Sequence, residues 1–195
     1  MDRAKGLAAL ASAAETRRLL DEKLPNCKKL GFYAGRLTED KGVVRAAEII
    51  ADLPSVGLII AGTGPSEERL RAIAAHSPNI LFLGQIENPL LFAAAADFGI
   101  LLTNDPGEGR PLFALECVSV GTPVIANANS SAVEDLISEV GLGAIIPVQA
   151  SDAGAIRSAF DTAERFEPVM LDWGKAAAIF TESLASEANP ANKSI

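Results

Sequence analysis

Histidine is almost absent from this chain: there is one, His76, in 195 residues. It falls at the end of a predicted helix, where a histidine serves as a C-terminal cap, so no catalytic histidine is available. Cysteine is nearly as scarce. Cys27 and Cys117 are the two present, and neither has His or Cys companions at metal-ligand spacing. They read as reduced structural thiols of a cytoplasmic protein. Positive charge is in deficit, with 17 Lys and Arg against 25 Asp and Glu and a net charge of −8. That excludes broad attraction to nucleic acid or an anionic membrane, but leaves room for a small phosphorylated ligand in a local pocket. Long apolar runs are missing too. The longest, "PLLFAAAA" (89–96), stops at Asp97, well short of the ~18 residues of a membrane span. The N-terminal "MDRAKGLAALASAAETRR" has the basic and small residues of a signal peptide, but its apolar part is short and alanine-dominated, so it reads as a helix.

Several motifs of α/β enzymes are also lacking. The chain has no G-x-G-x-x-G, which disfavours a dinucleotide-binding Rossmann domain, and no G-x-x-x-x-G-K-[ST], which disfavours a P-loop enzyme. There is no G-x-S-x-G elbow of a serine hydrolase. What is present is a globular composition, 49 % hydrophobic and 22 % charged, in a chain long enough for one domain with a substantial core.

One pattern recurs along that chain. Short aliphatic runs end in Gly, Thr or Asn and are followed by helix-like segments. The predicted strands are 29–35, 56–62, 79–84, 98–103, 123–127 and 143–148; the predicted helices are 41–53, 66–76, 88–96, 110–121, 131–138 and 152–166. The strand runs are continuously apolar, as strands covered on both faces must be. About six such strands alternating with helices predict a single Rossmann-like, doubly wound parallel sheet of the α/β class. We divide the chain into an N-terminal helix and turn (1–28), a domain at 29–186 and a flexible tail at 187–195.

In an open parallel sheet, ligands bind beyond the carboxyl ends of the strands, so the strand-to-helix loops carry the candidates. In "GRLTEDKG", Arg36 and Lys41 bracket a loop and both can reach a diphosphate. In "GTGPSEERL", Ser66 can cap a helix and Gly62 permits close backbone approach, but Glu67 and Glu68 in the first turn would repel phosphate. The loop "NDPGEGRP" is the most informative. Gly107 and Gly109 let the backbone approach a ligand. Pro111 suits the first helical position and leaves the N–H groups of Leu112 and Phe113 free for an anion. Glu108 and Glu116 then stand about 12 Å apart along the helix direction, from eight residues at 1.5 Å rise. That separation fits a long ligand with two polyhydroxy ends and an anionic middle. The alternative is that Glu116 snorkels or pairs with an arginine while Glu108 is a surface acid.

Six blocks in order, "YAGRLTEDKG" (33–42), "LIIAGTGP" (58–65), "ILFLGQI" (80–86), "EGRPLFALEC" (108–117), "GTPVIA" (121–126) and "GLGAIIP" (141–147), resemble the donor-binding, C-terminal half of a retaining GT-B-fold glycosyltransferase of group 1. The resemblance implies a site residue by residue. Arg36 and Lys41 match the pair that neutralises the donor diphosphate. Gly62 matches the glycine facing the donor, and Ile86 the position whose backbone meets the base. Glu108 matches the acid near the donor sugar and the reacting face, and is the catalytic candidate. Gly109, Arg110, Pro111 and Leu112 match the helix tip under the phosphates, with Arg110 and Pro111 replacing the usual aromatic and glycine. Glu116 matches the acid on the ribose hydroxyls. The resemblance further implies a UDP-, GDP- or ADP-sugar as donor and no metal or other cofactor, in keeping with the lack of Asp-x-Asp. It implies an acceptor-binding half, in a further domain or a partner chain, that these residues do not include. Residues 173–186 offer at best part of the helix that crosses back to that half. A non-catalytic nucleotide-sugar-binding module, or half of a sugar-nucleotide epimerase, would share this fold.

Overall fold

Strands buried on both faces must be covered by helices on both sides, and the chain meets that demand by alternating the two. A computed structural model describes residues 3–104, 111–129, 131–140 and 143–168; the predicted helix at 173–186 and the tail at 187–195 lie outside those residues. Six strands, β1 (Lys29–Ala34), β2 (Val56–Ala61), β3 (Ile80–Gly84), β4 (Phe98–Leu101), β5 (Val124–Asn127) and β6 (Ile145–Val148), form one sheet in the order β3-β2-β1-β4-β5-β6. Every pairing in it is parallel. The order reverses direction between β1 and β4, which makes that point the crevice of a doubly wound sheet.

The helices are α1 (Arg3–Lys23), α2 (Val43–Ala51), α3 (Glu67–His76), α4 (Pro89–Ala95), α5 (Leu112–Ser119), α6 (Ser131–Val140) and α7 (Ala153–Thr162). Burial follows the sheet order. β4 and β5 are buried throughout, β1 and β2 at all but their ends, whereas the edge strands β3 and β6 are partly open. This is why the central runs read as unbroken apolar stretches. Helix α1 packs on α4 and buries Ala9 and Leu20. It is pinned where Asp97 Oδ2 accepts from Arg17 Nη1 at 3.0 Å and from the Leu30 backbone N–H at 2.7 Å.

Three local details differ from the sequence reading. The segment predicted as helix from 41 begins as a 3-10 turn at Glu39–Lys41, and α2 starts only after Gly42, whose φ of 68° is left-handed. Ser66 makes no capping bond to α3; it is buried, and its N–H donates to the Leu37 carbonyl at 2.8 Å instead. Pro111 is the residue before the first helical one, with α5 beginning at Leu112. One expectation about a helix end is met: His76 closes α3 with Nδ1 2.9 Å from the Ala72 carbonyl, a contact in which Nδ1 carries the proton. Helix α7, the last among the described residues, is held from both ends. Asp152 Oδ1 accepts from the Ala155 N–H at 3.0 Å, and Lys29 Nζ donates to the carbonyls of Phe160 and Ala163 at 2.7 and 2.9 Å, which satisfies groups a helix leaves unpaired at its termini.

Candidate functional site

The carboxyl ends of β1, β2, β3 and β4, together with the first turn of α5, enclose a cavity of about 540 Å³. It straddles the crevice between β1 and β4. Of the sequence-predicted residues, Arg36, Lys41, Gly62, Ile86, Pro111, Leu112 and Glu116 all border this one cavity. Glu108, Gly109 and Arg110 lie outside the described residues.

Arg36 follows β1 and is exposed, whereas Lys41 is only 8 % exposed. The loop that carries Lys41 is fixed from below. The Asn104 N–H donates to the Asp40 carbonyl at 2.8 Å, and a Cβ on Gly42 would stand 2.2 Å from the Leu102 carbonyl oxygen. The loop therefore rests directly on the end of β4. Lys41 Nζ lies 3.9 Å from Asp40 Oδ2, a loose ion pair at the cavity wall.

Helix α5 brings the opposite wall. The Pro111 carbonyl accepts from the N–H groups of Ala114 and Leu115 at 2.9 and 3.2 Å. The N–H groups of Leu112 and Phe113, nearer the helix start, have no acceptor among the described residues. A helix start of this kind carries partial positive charge and free donors. Glu116, one turn inside, is half-buried, and its carboxylate makes no hydrogen bond or ion pair among the described residues. Burial raises its pKa above the usual carboxylate value, because desolvation disfavours the charged form. The alternative in which Glu116 pairs with an arginine is not what the structure shows among the described residues. The cavity thus combines two cations, a helix tip and a carboxylate without a partner among those residues. It is suited to a ligand with an anionic middle and a hydroxyl-bearing end.

Gly62 has a second task that no sequence pattern announces. It borders the cavity, but a Cβ on it would lie 1.9 Å from the Gly35 carbonyl oxygen. It lets the β2 loop sit against the β1 loop as well as leaving space for a ligand. Sequence reasoning also passes over Tyr33, Thr63 and Gln85, and over the side chain of Phe113 as opposed to its N–H; all four residues border the cavity. In the sequence, the Tyr33 and Phe113 side chains are simply parts of a strand and a helix. The signal available is their place at the very ends of those elements, next to loops already singled out.

A family model described as glycosyl transferases group 1 matches residues 18–179. A GDP-mannose-dependent monoacylated alpha-(1-6)-phosphatidylinositol monomannoside mannosyltransferase of Corynebacterium glutamicum is 32 % identical over 142 residues, covering 63 % of this chain and 37 % of the relative. A GDP-mannose-dependent alpha-(1-6)-phosphatidylinositol dimannoside mannosyltransferase of Mycobacterium tuberculosis is 31 % identical over 170 residues, covering 80 % of this chain and 44 % of the relative. The chain therefore spans less than half the length of these curated relatives. Among solved structures, Anabaena HepE in complex with UDP-glucose superimposes with a TM-score of 0.62 at 19 % identity, over 76 % of this chain and 42 % of that one. The shared fold is the Rossmann-like half of GT-B.

Proposed function

This chain belongs to the group 1 glycosyl transferases, and from that membership we propose that its cavity binds the nucleoside diphosphate sugar donor of a retaining hexosyl transfer. The observation that carries the reading is convergence. Arg36 and Lys41 from one loop, the α5 tip, and Glu116 one turn further along all border a single space of about 540 Å³ at the sheet's crevice. In this reading the diphosphate lies between the two cations and the N–H groups of Leu112 and Phe113. Glu116 accepts hydrogen bonds from the ribose hydroxyls, and the base lies toward Ile86. Gly109 and Arg110 extend the helix tip under the phosphates, and Glu108 stands at the sugar end, acting at the reacting face. An acceptor-binding half, in the same chain or another, would close the cleft from the other side.

Positive side chains and a helix start can neutralise a diphosphate without a divalent ion. UDP, GDP or ADP is therefore expected to raise the melting temperature in the presence of EDTA. GDP and UDP are the first to try, because the two mannosyltransferases are GDP-mannose-dependent and Anabaena HepE was crystallised with UDP-glucose. If EDTA abolished every nucleotide-induced shift, the metal-free site would be wrong.

A cleft needs two walls. The 195-residue chain alone is expected to bind donor yet transfer no sugar to acceptor above slow donor hydrolysis, and to gain transfer when an acceptor-binding half is supplied. Robust, saturable transfer by the purified chain alone would overturn the two-wall scheme.

A further inference from the structure

Tyr33 is the only tyrosine of the chain and stands one residue before the end of β1. It is 2 % exposed, yet it borders the cavity. Two independent contacts leave from opposite ends of this side chain. Its ring lies 5.5 Å from that of Phe113, tilted by 45°, and Phe113 is the second residue of α5. Its hydroxyl donates to the Arg36 carbonyl at 2.8 Å. The turn between them is tight: a Cβ on Gly35 would stand 3.1 Å from the tyrosine hydroxyl. The loop thus folds over the hydroxyl with little room for a side chain at its apex.

One buried side chain therefore touches both walls of the cavity, the helix start through its ring and the Arg36 main chain through its hydroxyl. Phe32, the preceding residue, supplies the plain packing at this level by stacking on Phe92 and meeting Phe113 edge-on. A phenylalanine at 33 would fill nearly the same volume. The hydroxyl is the part that packing does not require, and buried tyrosine hydroxyls act through the partner they bond.

We propose that Tyr33 is a positioning residue that holds the Arg36 arm at a fixed span from the first turn of α5, so that guanidinium and helix tip meet one diphosphate. This rests on the donor-site reading above. The cavity walls come from separate loops, and a long flexible arginine loses rotamer freedom when it binds. Fixing the main chain from which it springs reduces the cost of that ordering.

The test is a thermodynamic cycle of wild type, Tyr33→Phe, Arg36→Ala and the double variant, titrated calorimetrically with GDP and UDP. Tyr33→Phe is expected to weaken diphosphate binding about fivefold, equivalent to ~1 kcal/mol. In the Arg36→Ala background the same change is expected to cost less than about 1.5-fold, because the arm it positions is gone. Equal affinity of wild type and Tyr33→Phe would overturn the proposal. So would an equal fivefold loss in both backgrounds, which would mean that the hydroxyl supports the fold rather than Arg36. Wild-type protein that bound neither diphosphate would remove the donor site itself, and the role of Tyr33 with it.

Discussion

Replacing Glu116 by alanine is expected to weaken nucleoside diphosphate binding about 10- to 100-fold, since hydrogen bonds to a charged group are worth roughly 1.5–3 kcal/mol each. Glu116→Gln keeps the shape and one acceptor and should lose less. The half-buried setting adds a signature of its own. Burial raises the Glu116 pKa, so the carboxyl is harder to ionise in the folded protein than in the unfolded chain. Its contribution to stability is then fully present below the unfolded pKa and is lost as pH rises through the folded one. At pH 7 the carboxylate is a cost to the free protein. Glu116→Gln should therefore melt at or above the wild-type temperature at pH 7, and that difference should vanish at pH values below the ordinary carboxylate range. Binding runs the other way. As pH falls through the raised pKa, wild type should lose affinity that Glu116→Gln does not, the comparison removing the titration of the ligand's own phosphate. Glu108→Ala is the contrasting arm. It should leave nucleoside diphosphate affinity within about threefold, under 1 kcal/mol, and remove the extra affinity of the matching sugar donor. Calorimetric titration with diphosphate and then donor reads both. Equal losses for both ligands in both variants would mean that the two acids do not divide the ligand between them.

The strands were legible because their environment is simple. Runs such as "LIIA" and "GILL" are covered on both faces, so nothing polar interrupts them, and β2 and β4 fall within two residues of the predicted bounds. The loops that border the cavity followed directly, since a parallel sheet presents the strand-to-helix turns on one edge. Arg36, Lys41, Ile86, Pro111, Leu112 and Glu116 could be found there by residue type and by resemblance. Local starts were less legible. Ser66 has the chemistry of a cap, but its N–H is drawn into a loop contact with Leu37, and no sequence pattern announces that choice. Tyr33 and Phe113 were invisible as a pair because they are far apart in the chain and meet only when β1 and α5 close on the same crevice. Helix α1 was legible as an alanine-rich helix. Its seat on α4 was not, since the Arg17–Asp97 contact that pins it is likewise set only by the folded chain.

Gly62→Ala is expected to lower the melting temperature by roughly 4–24 °C, through a close approach and a strained backbone angle. The Cβ would lie 1.9 Å from the Gly35 carbonyl oxygen and 3.0 Å from the Gly35 carbonyl carbon. Both are backbone atoms and cannot swing aside as a side-chain end would. The φ of Gly62 is 132°, where a Cβ is strained whatever the space. Holding a non-glycine residue in such a region costs about 1–3 kcal/mol, and overpacking adds about 1–3 kcal/mol. The sum, roughly 2–6 kcal/mol, gives the stated shift for a domain of this size at about 2–4 °C per kcal/mol. Relief can come only by parting the β1 and β2 loops, which are stitched by the Gly35 N–H to the Ala61 carbonyl at 3.1 Å and the Leu37 N–H to the Thr63 carbonyl at 2.9 Å. Parting them moves Arg36, so diphosphate affinity should fall along with stability. Gly84→Ala is the control. Gly84 has a left-handed φ of 70°, but nothing stands within 4 Å of its Cβ position, so only the backbone cost of ~1–2 kcal/mol applies. Thermal melts of the two variants, with titration of a nucleoside diphosphate into each, separate packing from backbone strain. Equal destabilisation by the two substitutions, with diphosphate affinity unchanged in Gly62→Ala, would show that the β1 and β2 loops yield freely, and that Gly62 is a glycine for its backbone angle alone.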